Sequence, residues 1–313
     1  MSRDTLSNLA VADASIRDIS DRSVMWSVLV SIRPDQWTKN VLIFAGLLFG
    51  RQLFNAQAVL SASAAFVIFC ALAGTVYLIN DVLDRESDRL HPLKAKRPIA
   101  SGALSVPSAM VAACLLAGTA LVGAFKLSTT FGLVAAGYLA LLSLYSGLLK
   151  QTVILDVLTI AIGFVLRAIA GAVAVNVEIS HWLLVCTVLL ALFIALAKRR
   201  HELTLLGDGA PSHRSILGEY SPYLLDQMIA VVTASTLVAY VFYTISPETQ
   251  RKFGTQWLGL TIPFPLYGIF RYLYLVHQRA GGGSPADLLL TDRPLLACVA
   301  LWALSVVIIV YWL

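Results

Sequence analysis

Residues 80–88 read NDVLDRESD and directly follow a long apolar run. Only 18 of the 313 residues are Asp or Glu, yet four of them fall within these nine positions. On a helix that turns about 100° per residue, the polar side chains of this segment share one face within a spread of roughly 100°. In angular order these side chains are Asn80, Asp84, Asp88 and Asp81. The sequence therefore predicts a cluster of oxygen donors at the end of an apolar helix.

The composition indicates a membrane protein. The chain is 58% hydrophobic and 13% charged, with a mean hydropathy of +0.79, whereas soluble domains carry about 25% charged residues. Nine apolar segments have close to the roughly 20 residues that a helix needs to cross a bilayer. They lie at about 38–57, 59–80, 103–124, 128–148, 153–175, 180–198, 223–245, 255–276 and 293–312. We expect an all-α polytopic protein with a polar tail over residues 1–23, an interfacial helix from Val24 to Ile32, and one transmembrane domain over residues 24–313.

The distribution of Lys and Arg predicts the orientation of the helices. Alternate sides of the nine segments hold 18 and 4 of these residues, and Arg167 falls inside a segment. By the positive-inside rule the richer side, which includes residues 81–102 and 199–222, is cytoplasmic. The net charge of +5 arises in these loops. We therefore expect anionic substrates or lipids as partners, and no nucleic acid, because the chain lacks a soluble basic domain.

The acidic face of residues 80–88 is a candidate metal site. In an ordinary solvated loop the acidic and basic side chains pair with one another. This interpretation, a loop without a metal site, stays open for residues 80–88. Carboxylates on one helix face repel each other unless a cation joins them. The donors are all oxygens and few in number, which suits a Mg²⁺ ion that also binds water and phosphate oxygens. We predict that Asn80, Asp84 and Asp88 are metal ligands, and that Asp81, Asp84 and Asp88 are the catalytic carboxylates.

Further polar residues follow this segment and the fourth predicted span. Lys94 and Arg97 come shortly after the acidic face and would neutralise phosphate groups. Tyr145 and Lys150 lie at the end of the span at 128–148. Lys150 either lines a substrate pocket or extends to the membrane interface. We count all four residues as candidate substrate-binding residues.

Two more cations need an explanation because of where they lie. Arg167 is mid-span, where a charge is costly and usually faces a polar cavity. It either forms a structural pair with a neighbouring helix or lines a water-filled pocket together with Asp156. Lys39 belongs to the segment that opens the first span, along with Arg33 and Trp37. These three residues form an interfacial anchor or bind a lipid phosphate.

These features resemble the UbiA-type intramembrane prenyltransferase superfamily, over roughly residues 30–313. The motif NDxxDxxxD at residues 80–88, after the second of nine predicted spans, carries the resemblance. Other stretches are similar to its decaprenyl-phosphate phosphoribosyltransferase branch, namely RPDQWTKN from Arg33, HPLKAKRPIASG from His91, LRAIAG from Leu166, KRRHEL from Lys198 and the pair Arg271-Tyr272. The resemblance implies a UbiA-like helical bundle in a bacterial inner membrane, with Mg²⁺ as cofactor. It also implies transfer of 5-phosphoribosyl from phosphoribosyl pyrophosphate to a polyprenyl phosphate, in cell-wall biogenesis.

One departure separates this chain from the aromatic prenyltransferases of that superfamily. They carry a second acidic motif, DxxxD, after the sixth span, where this sequence reads KRRHE from Lys198. Cations in place of acids fit a donor with a separate 5-phosphate, which Lys198, Arg199 or Arg167 would bind. Glu202 would orient the ribose hydroxyls. A prenyl diphosphate-dependent aromatic or quinone prenyltransferase remains the alternative, and a transporter or lipid-binding protein is a third interpretation.

Overall fold

The computed structural model describes residues 24–206, 215–278, 288 and 291–313. Within these residues all regular structure is helical, as the sequence predicts. Seven of the described helices are long and apolar enough to cross a membrane, which supports a multi-pass membrane protein. The predicted tail over residues 1–23 lies outside the described residues.

The helices follow one another with short connections. In chain order they are α1 Val24–Ser31, α2 Ala45–Phe49, α3 Ala56–Leu83, α4 Arg85–Leu90, α5 Pro98–Ser101, α6 Val106–Leu127, α7 Thr129–Gly147, α8 Leu155–Ala174, α9 His181–Leu206, α10 Pro222–Ile245, α11 Pro247–Phe253, α12 Pro263–Gln278 and α13 Arg293–Trp312. Segments of 3₁₀ helix lie at Pro34–Phe44, Lys94–Lys96, Leu149–Gln151, Ser215–Glu219 and Trp257–Thr261. The candidate membrane-crossing helices are α3, α6, α7, α8, α9, α10 and α13.

The first and eighth predicted spans form shorter elements than expected. The segment predicted at 38–57 is a 3₁₀ helix followed by the five residues of α2, and it ends at Gly50. The segment predicted at 255–276 is divided by Pro263, which lacks an N–H group and begins the 16-residue α12. At 1.5 Å per residue α12 is about 24 Å long, less than the roughly 30 Å hydrocarbon core. Nine complete crossings therefore stay a prediction.

The segment over residues 34–49 packs backbone to backbone against α8. A Cβ atom added to Gly171 would lie 2.0 Å from the carbonyl oxygen of Ile43, and one added to Gly46 would lie 2.8 Å from the Gly171 backbone. Only glycine leaves room for this approach, which is the usual role of small residues at membrane helix contacts. The contact lies one helical turn beyond Arg167. It therefore holds residues 34–49 beside the buried guanidinium.

A buried ion pair joins α8 to α9. Asp156 is 0% exposed and Arg199 is 2% exposed, and Arg199 Nε donates to Asp156 Oδ2 at 2.8 Å. The Tyr220 hydroxyl donates to the other Asp156 oxygen at 2.8 Å and accepts from the Ile154 N–H. Burial raises the pKa of Tyr220 to about 12, so the hydroxyl keeps its proton at neutral pH. Arg199, which the sequence predicts to bind a phosphate, thus belongs to a hydrogen-bond network that connects α8, α9 and Tyr220.

The glycine contact gives a stability prediction. Gly171→Ala places a methyl group against the Ile43 carbonyl, and overpacking of this kind costs about 1–3 kcal/mol or more. We expect a lower melting temperature of the detergent-solubilised protein. The matched control is Gly137→Ala in α7, where an added Cβ meets nothing within 4 Å. Equal melting temperatures for the two variants would contradict the close contact.

The buried pair gives a second stability prediction. Asp156→Asn leaves the buried Arg199 with the partly exposed Glu202 as its carboxylate partner, so we expect a cost toward or below the lower end of the roughly 3–5 kcal/mol of a broken buried pair. Unfolding measured by circular dichroism in detergent should shift to clearly lower denaturant or temperature. Glu86→Gln is the control, because Glu86 is 78% exposed in its pair with Arg89 and surface pairs contribute little. A variant of Asp156 as stable as this control would rule out the structural role.

Candidate active site

A cavity of about 1550 Å³ lies inside the bundle. Its walls come from residues 33–50 and from α3, α7, α8, α9, α10, α12 and α13. It brings together 12 of the 13 residues that the sequence predicts for the site, namely Lys39, Asn80, Asp84, Asp88, Lys94, Arg97, Tyr145, Lys150, Arg167, Lys198, Arg199 and Glu202. Most of these residues lie where α3, α7 and α9 end and where α8 begins. We call this part of the bundle the charged end.

The polar end of α3 forms one wall of the cavity. The helix ends at Leu83 and α4 begins at Arg85, so the chain bends at Asp84. Asn80 Nδ2 donates to Asp84 Oδ2 at 3.0 Å, and Lys150 Nζ donates to Asp84 Oδ1. Lys150 therefore lines the pocket, which decides between the two alternatives that the sequence left open.

Asp81 does not share the cavity-facing side, which corrects the predicted common face. Its carboxylate is 2% exposed and binds both Arg33 and Arg97, the latter at 3.2 Å. Arg97 also binds Asp88 at 2.6 Å. The angle of about 100° between Asp81 and its neighbour Asn80 turns Asp81 toward the segment that contains Arg33. Asp81 thus positions two cations rather than facing a ligand.

The donor set at this wall fits a magnesium ion shared with a substrate. In the described part of the chain, no three His, Cys, Asp or Glu side chains are grouped so as to hold a metal by themselves. Mg²⁺ commonly binds one or two carboxylates and completes its shell with water and phosphate oxygens. Asn80, Asp84 and Asp88 all line the cavity and offer two carboxylates and one amide oxygen. This set resembles an open magnesium site and not a closed protein cage.

Arg167 lies deeper in the cavity and has neutral hydrogen-bond partners. Its side chain is 6% exposed. It donates to Asn40 Oδ1 at 2.7 Å, to the Tyr138 hydroxyl at 2.6 Å and to the Gly163 carbonyl at 2.9 Å. Among the described residues no carboxylate oxygen lies within ion-pair distance of it. Arg167 lines the pocket as predicted and is also hydrogen-bonded to Tyr138 of the neighbouring α7. Asp156, predicted to line the pocket with it, is 0% exposed and instead pairs with Arg199.

Glu202 presents a carboxylate to the cavity from the end of α9. Arg199 donates to its Oε2 at 2.8 Å, and Lys198 lies 3.9 Å from its Oε1. The Tyr145 hydroxyl is 3.5 Å from the Arg199 guanidinium. Arg199 is thus held between Asp156 and Glu202, and it fixes Glu202 in place.

Sequence reasoning missed two residues of this site, Asn40 and Tyr138, and left the role of a third, Arg33, open. Arg33 lines the cavity, binds Asp81 and lies 4.7 Å from the centre of the Tyr77 ring, although its sequence context also suits a membrane anchor. Asn40 and Tyr138 hold Arg167. Asn40 had a signal, since it is a polar residue at the start of an apolar run. Tyr138 had none, because a tyrosine within a span is an ordinary packing residue.

The rest of the cavity wall is apolar and reaches the outer surface of the bundle. Leu190 on α9 and Val299 on α13 both line the cavity and are exposed. Phe193, Phe264 and Trp302 lie on the same side. The cavity therefore offers charged groups at one end and an apolar wall open toward lipid, which suits a ligand with an anionic head and a long apolar tail.

Comparison with known proteins supports the same family as the motif. The sequence matches the UbiA prenyltransferase family over residues 40–282. A decaprenyl-phosphate phosphoribosyltransferase from Mycolicibacterium smegmatis is 33% identical, and the alignment covers 90% of this chain and 91% of that protein. One from Mycobacterium tuberculosis is 36% identical, covering 89% of this chain and 92% of that protein.

Solved structures show the same fold. A UbiA homolog from Archaeoglobus fulgidus bound to DMAPP and Mg²⁺ superposes with a TM-score of 0.70 at 18% identity, covering 92% of this chain and 100% of that one. The same homolog bound to GPP and Mg²⁺ gives a TM-score of 0.71. Because the family match spans most of the sequence and the relatives align over nearly its whole length, the chain belongs to the UbiA prenyltransferase family.

Proposed function

We propose that this protein transfers a 5-phosphoribosyl group from phosphoribosyl pyrophosphate to a polyprenyl phosphate such as decaprenyl phosphate, releasing pyrophosphate. One observation carries the proposal: a single cavity joins a charged end, with oxygen ligands and several cations, to an apolar wall that reaches the lipid. A polyanionic donor and a lipid acceptor need these two environments side by side. The relatives that are named for this activity support the choice of substrates.

The end of α3 is the proposed site of the donor pyrophosphate. Asn80, Asp84 and Asp88 would hold Mg²⁺, which stabilises the charge on the departing pyrophosphate when it is bound. Lys94 and Arg97 lie at the same wall and share the phosphate charge, as charge-assisted donors do.

The remaining parts of the donor bind at the end of α9 and at the start of the 3₁₀ segment at residues 149–151. Lys198 binds the 5-phosphate, for which a flexible ammonium group is suited. Glu202 accepts hydrogen bonds from the ribose hydroxyls, and Arg199 holds its carboxylate in place. Tyr145 and Lys150 complete this wall of the cavity.

The proposed reaction needs no histidine with a shifted pKa to act as general base. A lipid phosphate oxygen forms a bond to the anomeric carbon while the bond from that carbon to the pyrophosphate oxygen breaks, through an oxocarbenium-like state. The acceptor phosphate is already anionic at neutral pH, so no strong general base is required. Because a single displacement brings the acceptor in opposite to the leaving group, the product has the inverted configuration at the anomeric carbon.

The excess of Lys and Arg at the charged end supports a cytoplasmic position for this end, by the positive-inside rule. We propose a bacterial inner-membrane enzyme with one catalytic domain over residues 24–313. Its water-soluble donor then enters from the cytoplasm, and its lipid acceptor enters from the membrane.

The metal ligands give the prediction for activity. Asp84→Asn keeps the size of the side chain but removes the charge that pairs with Lys150 and that would hold Mg²⁺. We expect turnover to fall by at least about 100-fold, equal to roughly 2.7 kcal/mol, with an unchanged size-exclusion profile. Glu86→Gln in the same segment is the control, since Glu86 is exposed and does not line the cavity. Near-normal turnover of the Asp84 variant would contradict the metal assignment.

An assay with membranes that contain the protein separates the candidate functions. Labelled lipid formed from phosphoribosyl pyrophosphate and polyprenyl phosphate, and abolished by a magnesium chelator, is the expected result. Product formed only from a prenyl diphosphate and an aromatic acceptor would instead establish the alternative prenyltransferase. No product in either reaction would leave a transporter or lipid-binding protein.

A further inference from the structure

We propose that Lys39 and Arg167 together bind the phosphate group of the lipid acceptor, where the charged end of the cavity meets its apolar wall. The identity of the acceptor rests on the proposed function, whereas the anion site rests on the geometry of these two side chains. Under this proposal Arg167 is no longer a candidate for binding the 5-phosphate of the donor.

The first argument is the buried charge of Arg167. A buried guanidinium is normally compensated by an anion, because removing a charge from water is costly. Here the hydrogen-bond partners are an amide, a phenol and a backbone carbonyl, all of them neutral. These three bonds use three of the five N–H groups of an arginine. Two donors and one full charge therefore remain for a ligand in the cavity.

The second argument is the charge around Lys39. Lys39 lines the cavity and is repelled by three other cations, Lys198, Arg167 and Arg33. Asp35, four residues earlier in the chain, contributes an opposing attraction. No carboxylate of the described chain forms an ion pair with Lys39. Cations held together in this way favour binding of an anion between them.

The third argument is the difference between this cluster and the end of α3. There, Arg97 and Lys150 each bind a carboxylate, so cations and anions alternate. Such a wall suits pyrophosphate together with a metal ion. Around Lys39 and Arg167 cations predominate, and no described carboxylate forms an ion pair with either side chain, which suits a phosphate that arrives without a metal.

The fourth argument is the apolar surface next to the cluster. Leu42 follows Lys39 by one turn, and Phe164 and Ala168 flank Arg167, and all three line the cavity. The apolar wall continues to the exposed Leu190 and Val299. A sugar phosphate would leave this wall without a partner. A phosphate carried on a long apolar chain matches both surfaces, since its head meets the cations while its chain follows the wall toward the lipid.

The arginine is held rigidly, which suits a binding role. Asn40 is buried and its amide contacts Cys70 Sγ at 3.2 Å while its oxygen accepts from Arg167. The close packing of Gly46 on Gly171 fixes this segment against α8. The guanidinium therefore keeps its position before a ligand arrives, and little side-chain entropy is lost on binding.

The test measures binding to the purified full-length protein in detergent. Lys39→Gln removes one charge from a side chain that forms no hydrogen bond or ion pair with the described residues, so we expect this variant to fold normally. We expect its dissociation constant for polyprenyl phosphate to rise at least about tenfold, and its KM for polyprenyl phosphate to rise while the KM for phosphoribosyl pyrophosphate stays within about twofold. Lys39→Arg should restore most of the affinity.

Further variants and probes make the result specific. Arg167→Lys keeps the charge but loses the fixed geometry, so it should weaken lipid binding as well. Lys252→Gln is the matched control, because Lys252 lines the same cavity at its opposite end, near Glu178, and we expect unchanged lipid affinity. Polyprenol, which has no phosphate, should bind wild type and Lys39→Gln equally. Inorganic phosphate and ribose 5-phosphate should compete only weakly with polyprenyl phosphate for binding to the protein.

Two outcomes would overturn the inference, and a third would overturn only the proposed function. Unchanged lipid affinity in Lys39→Gln, or a change confined to phosphoribosyl pyrophosphate or ribose 5-phosphate, would assign the cluster to the donor or to no phosphate. If lipid binding depends on Lys39 and yet phosphoribosyl pyrophosphate gives no product, the proposed donor is wrong while the acceptor site stands.

Discussion

The carboxylates at the end of α3 are held by cations that come from distant parts of the chain, and the site depends on these ion pairs. The three cations are Arg33, Arg97 and Lys150. Charges that are largely withdrawn from water persist only when they are paired, and losing one partner leaves the other uncompensated. These pairs therefore fix the segment before the first 3₁₀ helix, the loop after α4 and the turn between α7 and α8 around one opening. A ligand that enters there meets groups already in place.

Two charge environments inside one cavity explain how a single site handles two different phosphates. The end of α3 carries charges of both signs, which suits pyrophosphate with a divalent metal ion. The deeper cluster around Arg167 carries cations and neutral donors, beside an apolar wall. In the proposed reaction, separation of these environments would place the sugar donor near the aqueous end and the lipid chain along the wall. The buried pair of Asp156 and Arg199 supports this arrangement, since Arg199 also binds Glu202 in the cavity wall.

Local sequence patterns predicted the parts of the structure that depend on interactions between residues close together in the chain. The lengths of the apolar runs located the crossing helices, and the acidic spacing located the polar end of α3. Other features depend on contacts between distant residues, which no local pattern contains. Asp81 turns toward Arg33, 48 residues away, and Arg167 is held by Asn40, 127 residues away. The irregular first span packs against Gly171 through its backbone, and a glycine in an apolar run does not reveal its partner.

The most direct test of the central claim is mass spectrometry of the lipid formed when purified protein receives Mg²⁺, phosphoribosyl pyrophosphate and polyprenyl phosphate. The account predicts a lipid heavier by one phosphoribosyl group, with one pyrophosphate released for each lipid modified. A lipid of unchanged mass, with the donor either intact or hydrolysed, would contradict the claim that this cavity joins the two substrates.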